Sequence, residues 1–541
     1  MTFGHFGATP WWRSSVGYEV YLRSFADADG DGVGDLRGLL GRLDHLAWLG
    51  VDVVWVTPFY PSPMRDHGYD VADYRDVEPV FGTLADVDAL VARCHDLGMR
   101  LVIDLVPNHT SSDHEWFRQA RSSRDNPYRD YYVWRDPAPD GGPPNNWISN
   151  FGGPAWTLDE ATGQYWLHLF LPDQPDLNWD NPAVAEEFDG ILRFWLERGV
   201  DGFRIDVAHA LVKHPELLDN PPAAEGLGHA LVEDAATLER VHDVDQPGVL
   251  DVYRRWRKVV EPYGGLLLGE VYLLDIDRLA RYVRHQDGLH LSFWFKPLYL
   301  DWDPAAIRDV LEHAAAAAPG HLAWVQSSHD RARAVTRFGG GAVGRARALV
   351  FATLLTGLPG VPFVYQGEEL GLEDGEIGPE HAQDPVALRG GPNAKSRDGC
   401  RTPMPWEPGP GYGFTTARRP WLPFGDRTDA DTVAVQRADP DAMLHRYRTL
   451  VHLRRSRTDL HDRPVEWLFE RGPVVAYRRG DTLVAANCGD RPHRTALPEG
   501  TWEAVFATDR RGEGRTVDTE LALGPHEAMV LVPREPGSRG G

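Results

Sequence analysis

The sequence of 541 residues has little cysteine and no long apolar run. Its three cysteines, Cys94, Cys400 and Cys488, are too few and too scattered for a disulfide framework or a metal-binding knuckle. No segment approaches the roughly 18 consecutive apolar residues of a membrane-spanning helix. The N-terminal stretch MTFGHFGATPWW lacks the basic and apolar regions of a secretory signal. We therefore expect a cytoplasmic protein with no membrane partner.

Positive charge is also scarce relative to negative charge. Lysine and arginine total 56 against 80 aspartates and glutamates, which gives a formal net charge of −24. Such a charge disfavours nucleic acids and anionic membranes, so we expect neither as a partner. Hydrophobic residues make up 42% and charged residues 25%, the balance of a globular protein with a large buried core. The length predicts two or three domains.

Short apolar runs recur along the chain, each of the length of one strand. Such runs are typical of parallel strands that are covered on both faces. The segments between them, such as 35–49 and 84–97, carry apolar residues at helical spacing. Eight strands that alternate with helices predict a closed (β/α)₈ TIM barrel. The predicted strands are 17–21, 51–56, 101–106, 202–206, 266–271, 291–295, 322–326 and 361–365.

Two parts of the chain depart from this alternation. The interval between the third and fourth strands is longer than one crossover needs and is rich in Pro, Gly, Asn and aromatic residues. We expect residues 107–181 to form an inserted subdomain, with the barrel in 1–106 and 182–463. From residue 464 to residue 541, short strands separated by turn residues predict a C-terminal all-β sandwich domain. Its predicted strands are 474–477, 482–487, 502–506 and 528–532.

Polar residues follow four of the predicted barrel strands. The carboxyl ends of barrel strands meet at one mouth, where the active sites of such folds lie. Unpaired carboxylates held together repel one another, so packing alone does not account for several of them at one mouth. The residues are Asp104, Asn108 and His109 after the third strand, Arg204 and Asp206 at the fourth, Glu270 at the fifth, and His329 and Asp330 after the seventh.

Cleavage of a glycosidic bond is a reaction that uses such a set. It requires two carboxyl groups that flank the bond, one as nucleophile and one as proton donor, and a separation of about 5–5.5 Å leads to retention of configuration. A third carboxylate raises the pKa of the donor, and an arginine two residues before the nucleophile keeps that nucleophile ionised. A catalytic divalent metal on the same acidic mouth is an alternative, against which the positive charge of Arg204 argues.

Four short motifs resemble the signatures of the family 13 glycoside hydrolases, the α-amylase family, and the resemblance covers nearly the whole chain. DLVPNH at 104–109 is similar to the first signature, and GFRIDVA at 202–208 is similar to the second. GEV at 269–271 resembles the third, and the His-Asp pair at 329–330 resembles the fourth. Each motif alone is a weak signal, but four in order, each on the matching strand, form a strong one.

The resemblance implies a role for each catalytic carboxylate. Asp206 would be the nucleophile with Arg204 as its partner, Glu270 the acid/base, and Asp330 the stabiliser of the transition state. The fourth signature departs from the family pattern, because Ser327-Ser328 stand where two asparagines are usual. That departure puts the support of the surrounding loop in doubt.

The sequence also resembles one branch of the family, the oligo-1,6-glucosidases and α-glucosidases. QPDLN at 174–178 is similar to the fifth signature of that branch. An Asp66–Arg401 pair is expected to close the far end of the glucose pocket, which implies exo action on short substrates. The substrate-binding residues that the resemblance implies are Asp66, Tyr69, His109, Gln174, Arg204, Val207, His329, Arg397 and Arg401.

The predicted activity is therefore that of a retaining, exo-acting α-glucosidase. Its expected substrates are short oligosaccharides of the maltose or isomaltose type, with sucrose as a further candidate. Transglucosylation is expected as an additional reaction. Val207 is typical of α-1,6 activity in this branch, whereas its context also resembles actinobacterial enzymes for maltose-type substrates, so the linkage stays open. PFYPSP and YRDVEP are shared with proteins similar to trehalose synthase, which makes a transglucosidase or isomerase the alternative. A barrel that only binds is disfavoured, because all three carboxylates are present. The oligomeric state is unknown.

One acidic loop lies apart from the catalytic set. DADGDGVGD at 27–35 offers oxygen ligands that suit a hard cation, although Gly38 stands where an EF-hand has its bidentate Glu. In the resembled branch this loop holds a structural Ca²⁺ or Mg²⁺, so we expect a metal that stabilises the fold and no cofactor for catalysis. A Gly/Asp turn without metal is the alternative. The expected ligands are Asp27, Asp29, Asp31, Asp35 and the carbonyl of Val33.

Overall fold

Eight parallel strands close into a barrel in the computed structural model, which describes residues 10–223, 232, 234–389, 394–469 and 472–534. Each strand pairs with its neighbours in chain order, and the first strand closes the ring against the eighth. The predicted barrel is confirmed, with strand ends within two residues of those expected. The barrel strands are Gly17–Val20, Val53–Val56, Arg100–Leu105, Gly202–Ile205, Leu266–Gly269, Leu291–Trp294, Leu322–Trp324 and Val361–Tyr365.

The barrel strands are buried on both faces, which explains why they read as continuous apolar runs. One set of side chains, including Trp55, Phe293 and Phe363, fills the barrel interior. The alternate set packs against the surrounding helices. Gly17 is required by this packing, because a Cβ there would lie 2.3 Å from the Phe363 ring.

Helices cover the outside of the barrel, and several of them begin at side-chain caps. Asp35 accepts a hydrogen bond from the N–H of Gly38 at the start of the first helix, and Thr83 forms a capping box with Asp86 at the start of the second. The α-helices are Leu36–Leu49, Leu84–Asp96, Glu115–Ser122, Pro182–Glu197, Val249–Val260, Ile276–Val283, Pro304–Ala317, Ala334–Arg337, Gly341–Gly357, Pro385–Arg389, Val433–Ala438, Met443–Ser456 and Asp459–Asp462. Among the described residues, no helix combines the length and the apolar character that a membrane span requires.

Two further groups of strands lie where the sequence departs from the barrel pattern. Between the third and fourth barrel strands, Trp134–Arg135, Trp156–Asp159 and Gln164–Leu167 form an antiparallel sheet. The C-terminal β domain that the sequence predicts is also present, as a six-stranded sheet and a two-stranded sheet. Its strands are Glu466–Leu468, Val474–Arg479, Thr482–Asn487, His493–Ala496, Trp502–Ala507, Thr516–Val517, Glu520–Leu523 and Glu527–Pro533.

Candidate active site

A cavity of about 310 Å³ opens at the carboxyl ends of the barrel strands. It brings together residues that follow the second, third, fourth, fifth, seventh and eighth strands, as the (β/α)₈ architecture leads one to expect. Nine of the predicted catalytic and substrate-binding residues line it, namely Asp66, Tyr69, His109, Asp206, Val207, Glu270, His329, Asp330 and Arg397. The other three, Gln174, Arg204 and Arg401, are buried and contact residues of that lining.

One buried guanidinium holds three carboxylates at the floor of the cavity. Nη1 of Arg204 lies 2.6 Å from Oδ1 of Asp206 and 2.9 Å from Oδ1 of Asp104, and its Nη2 lies 3.0 Å from Oε2 of Glu270. Residues 204 and 206 point the same way because side chains alternate along a strand. The Trp55 ring lies 4.9 Å from the guanidinium and covers it. The third, fourth and fifth strands are thus joined through a single cation.

The charge of this Arg204 cluster is unbalanced. Burial raises the pKa of Asp206 and raises the pKa of Asp104 to about 6, although Arg204 acts in the opposite direction on both. Three carboxylates around one guanidinium cannot all ionise without strong repulsion, so the cluster retains a proton near neutral pH.

The backbone of Val207 fixes the orientation of Glu270. The N–H of Val207 donates to Oε2 of Glu270 at 2.9 Å, and Arg204 contacts the same oxygen. Val207 has a φ of 45°, which is a strained conformation for a β-branched residue. Two donors thus contact Oε2, and neither of these contacts involves the other oxygen, Oε1. Sequence reasoning had considered only the side chain of Val207.

A second charge cluster lies at the end of the cavity near Asp66. Arg397 contacts Asp384 at 2.7 Å, Asp330 at 3.1 Å and Asp66 at 3.3 Å. The predicted Asp66–Arg401 pair is wrong, because Arg397 takes the place of Arg401 beside Asp66. Arg401 donates instead to Asp330 at 2.9 Å, and its Nε is bound to the backbone carbonyl of His329.

The two arginines of this Arg397 cluster change how its carboxylates ionise. Burial acts to raise the pKa of Asp330, but His329, Arg397 and Arg401 outweigh it and hold that pKa well below the usual value. Arg397 lowers the pKa of the Asp384 carboxyl in the same way. Burial still raises the pKa of Asp66, which has one arginine at contact distance.

The residues from the inserted segment and the third strand form the adjacent wall. The side-chain amide of Gln174 donates to Asp66 at 3.1 Å and lies 3.1 Å from Nε2 of His109. Burial lowers the pKa of His109 to about 4, so its imidazole is neutral at pH 7. Predicted residues from three separate segments therefore meet at the same end of the cavity.

The two serines that depart from the family pattern provide turn hydrogen bonds. Oγ of Ser328 accepts from the backbone N–H of Asp330 at 3.2 Å, and Oγ of Ser327 accepts from the N–H of Ala334 at 3.0 Å. The serine hydroxyl groups thus support the loop that carries Asp330. They provide backbone hydrogen bonds in this loop although the two asparagines of the family pattern are missing.

Four buried residues of the site escaped sequence reasoning: Glu19, Tyr21, Trp55 and Asp384. Glu19 and Trp55 lie within barrel strands, whereas sequence reasoning looked for polar residues at the ends of the strands. Tyr21 stacks on His329 directly after the first strand. Asp384 lies in the long segment after the eighth strand, and only its tertiary contact with Arg397 reveals it. A charged residue inside an otherwise apolar strand, as at Glu19, was the one available signal.

The acidic loop near residue 30 brings together three of its predicted ligands. Carboxylate oxygens of Asp27, Asp29 and Asp35 lie within 4.8 Å of one another. The carboxylate of Asp31 accepts instead from the N–H of Val33 at 2.7 Å. Hard carboxylate oxygens at this spacing fit a hard cation such as Ca²⁺, and the loop lies outside the catalytic cavity.

Comparison with known proteins gives the family. The family model described as alpha amylase, catalytic domain, matches residues 19–462. A protein of Rhizobium meliloti (strain 1021) named "Probable alpha-glucosidase" is 44% identical over 87% of each chain. An oligo-1,6-glucosidase of Heyndrickxia coagulans is 36% identical over 96% of this chain and 99% of its own. The solved structure of an alpha-glucosyl transfer enzyme, XgtA, is 40% identical with a TM-score of 0.91, over 97% of this chain and 100% of the other.

The chain belongs to the α-amylase family of glycoside hydrolases. Within that family its relatives place it in the α-glucosidase branch. The predicted family, the barrel with its C-terminal β domain and the class of enzyme are therefore confirmed.

Proposed function

We propose that this protein is a retaining, exo-acting α-glucosidase that releases α-glucose from the non-reducing end of short α-glucosides. The observation that carries the proposal is the contact of one guanidinium with both Asp206 and Glu270. Because Nη1 and Nη2 of the same guanidinium bind the two carboxyl groups, their oxygens lie close together. This favours the short carboxyl–carboxyl separation of retaining enzymes over the roughly 6.5–9.5 Å of inverting ones.

The first step forms a glucosyl-enzyme. An oxygen of Asp206 attacks the anomeric carbon while the bond from that carbon to the leaving oxygen breaks, and the proton on Oε1 of Glu270 passes to the leaving oxygen. Asp330, held ionised by its arginines, stabilises the positive charge that develops on the sugar. In the second step water attacks the same carbon, its proton passes to Glu270, and the bond to Asp206 breaks.

The charge cluster at one end of the cavity supports exo action on short substrates. Asp66, Asp384 and Asp330 converge on Arg397, whose guanidinium also lies 5.3 Å from the Phe151 ring. We take this Arg397 cluster as the end of the cavity that holds the terminal glucose unit. Asp66, Tyr69, His109 and His329 then offer hydrogen-bond partners to the hydroxyl groups of that unit, with Gln174 and Arg401 positioned behind them.

Transfer of glucose to a second sugar is the alternative fate of the glucosyl-enzyme. The similarity to an alpha-glucosyl transfer enzyme favours including this activity. The relatives carry both α-glucosidase and oligo-1,6-glucosidase names, so maltose-type and isomaltose-type linkages both belong to the proposal. Val207 lines the cavity beside Glu270, the proposed acid/base. We propose that its side chain influences which linkage is cleaved.

Two further assignments accompany this activity. We assign a structural Ca²⁺ to Asp27, Asp29 and Asp35, supported by the distance between their oxygens, with Mg²⁺ as the second candidate. We also assign the protein to the cytoplasm, since Cys94, Cys400 and Cys488 are all free and buried thiols, as a reducing compartment permits. The catalytic steps themselves use side chains and water alone.

NMR analysis of the products from maltose, isomaltose and sucrose tests the proposal. The wild type should release α-glucose first, and the rates rank the linkages. Asp206→Asn should lower kcat by about 10⁴-fold or more with an unchanged circular dichroism spectrum. Initial β-glucose contradicts the retaining mechanism, and near-wild-type kcat in the variant removes Asp206 as nucleophile. Predominant trehalose or longer oligosaccharides instead assign the enzyme to the isomerases or transferases.

A further inference from the structure

A buried carboxylate lies behind the seventh-strand histidine of the active site. Glu19, in the middle of the first barrel strand, is 1% exposed. Its Oε1 lies 2.5 Å from Nδ1 of His329 and 3.3 Å from the backbone nitrogen of the same residue. A carboxylate withdrawn from water is costly unless it is paired, so both of these donors are needed at this position.

Two tyrosine rings hold the plane of the His329 imidazole. The Tyr21 ring lies 5.5 Å from it between ring centroids with an interplanar angle of 18°, and the Tyr69 ring lies 5.7 Å from it with an angle of 12°. Stacking restrains the tilt of the ring. It does not decide which edge of the ring faces the cavity, because a flip by 180° exchanges each nitrogen with a carbon while it keeps the same plane.

The contact with Glu19 decides that edge. When Nδ1–H donates to Glu19, Nε2 lies 3.0 Å from the hydroxyl of Tyr69 and 3.3 Å from Oδ2 of Asp330. In the flipped ring, carbon atoms would face all three of these oxygens. The chain of contacts therefore runs from the first strand through His329 to Asp330 and to the cavity.

We propose that Glu19 is a positioning residue for glucoside cleavage, which acts by orienting the His329 ring toward the sugar and Asp330. This inference rests on the proposed α-glucosidase function. Glu19 itself does not line the catalytic cavity, whereas His329 and Asp330 do. Its effect on the reaction thus passes entirely through His329.

The chain offers a matched control in a second buried glutamate that contacts a histidine. Glu369 is fully buried, and its Oε1 lies 3.7 Å from Nε2 of His45. The same oxygen accepts from the hydroxyl of Tyr18 at 2.8 Å. None of these three residues lines the catalytic cavity. Loss of charge at Glu369 therefore reports the structural cost of such a change without an effect on catalysis.

The test compares Glu19→Gln with Glu369→Gln, since glutamine keeps the size of the side chain and removes its charge. With 4-nitrophenyl α-glucoside, Glu19→Gln should lower kcat by about 10- to 100-fold, because a misplacement of about 1 Å in an active site is sufficient for such a loss. Glu369→Gln should change kcat by less than about threefold while it lowers Tm to a similar extent.

Deoxy substrates separate positioning from general damage. The substrates are the 2-, 3- and 6-deoxy glucosides, each of which lacks one hydroxyl group. If His329 binds one of these hydroxyls, the loss of kcat caused by Glu19→Gln should be about tenfold smaller for the substrate that lacks it. A kcat for Glu19→Gln within twofold of wild type would overturn the inference. So would an equal loss in Glu369→Gln, or a loss that is the same for every deoxy substrate.

A direct probe of the contact keeps this test independent of the proposed function. In ¹⁵N-histidine-labelled wild type, the Nδ1 proton of His329 should give a strongly downfield resonance that disappears in Glu19→Gln and persists in Glu369→Gln. Its absence from the wild type would overturn the inference. If the wild type cleaves no α-glucoside but shows this resonance, the proposed function fails while the orientation of His329 by Glu19 stands.

Discussion

The two charge clusters of the cavity contain similar carboxylates but different numbers of arginines. In the Arg204 cluster, three carboxylates share one guanidinium, and the pKa values of Asp104 and Asp206 are raised. In the Arg397 cluster, three carboxylates meet two guanidiniums, and the pKa values of Asp330 and Asp384 are lowered.

The difference shows that burial alone does not set the protonation of these groups. Burial acts to raise the pKa of five of these carboxyl groups, Asp66, Asp104, Asp206, Asp330 and Asp384. The arginines at contact distance act against burial, and in the Arg397 cluster they outweigh it at Asp330 and Asp384 but not at Asp66. In the Arg204 cluster, by contrast, the single arginine does not outweigh burial at Asp104 or at Asp206. Three experiments test this comparison, and a fourth tests the acidic loop near residue 30.

Removal of the single cation in the Arg204 cluster should have the largest effect. We expect Arg204→Gln to lower the free energy of unfolding by about 3–5 kcal/mol, because it leaves three buried carboxylates without a counter-charge. Activity should be undetectable, and Tm should recover partly as pH falls, since protons then replace the lost cation. Arg254→Gln, at an exposed ion pair with Asp251, is the control and should be close to neutral. A pH-independent loss of Tm would contradict the assignment.

Replacement of Arg397 by lysine should have the second-largest effect. Arg397→Lys keeps one charge but cannot contact Asp66, Asp330 and Asp384 together, so kcat/KM should fall by about 100-fold. Most of that loss is expected in KM, because the cluster binds the glucose unit. Steady-state kinetics on maltose measure it, with Arg427→Lys, at a half-buried arginine outside the cavity, as the control. Equal losses in both variants would refute a role in binding.

The raised pKa of Asp104 gives a pH dependence of stability with a definite sign. Between its unfolded pKa near 3.9 and its folded pKa of about 6, the native state holds a proton that the unfolded state has released. Stability should therefore fall as pH rises through this window, by on the order of 3 kcal/mol. In Asp104→Asn this loss is absent, so its Tm should rise relative to wild type between pH 4.5 and 7. Parallel Tm profiles would contradict the raised pKa.

The acidic loop near residue 30 provides the smallest expected effect. If Ca²⁺ binds Asp27, Asp29 and Asp35, EDTA should lower Tm by a few degrees and leave kcat at 25 °C unchanged. Asp29→Asn should abolish the response to added Ca²⁺, since Asp29 is exposed and contributes little else. Scanning calorimetry measures both, and an identical Tm with and without EDTA removes the metal. A loss of kcat in EDTA at constant stability would instead indicate a catalytic cation.

Most of the fold was predictable, because its strands are local features of the sequence. All eight barrel strands read as apolar runs that recur between amphipathic segments, and the observed strands lie within two residues of the predicted ones. The motifs around Asp206, Glu270 and Asp330 placed these residues at strand ends that a closed barrel must bring to one mouth. The roles of these residues stay predictions until the variants are measured.

The contacts that depend on long loops were not predictable in the same way. Arg397 and Arg401 lie four residues apart in one segment, and the sequence offered no means to decide which of them contacts Asp66. Only the folded segment shows that the Nε of Arg401 is bound to the carbonyl of His329, which leaves Arg397 to contact Asp66. The same limit hid Asp384, whose partner lies in the same loop.

The sequence by itself determined the barrel, its family and the carboxylates at its mouth, because periodicity and short motifs are local. The tertiary structure decided which charges share a partner, because Arg204 takes its three carboxylates from three different strands. It also placed Glu19 behind His329, across 310 residues of chain. Protonation in a buried cluster depends on all the charges within contact distance, and that set exists only when the chain is folded.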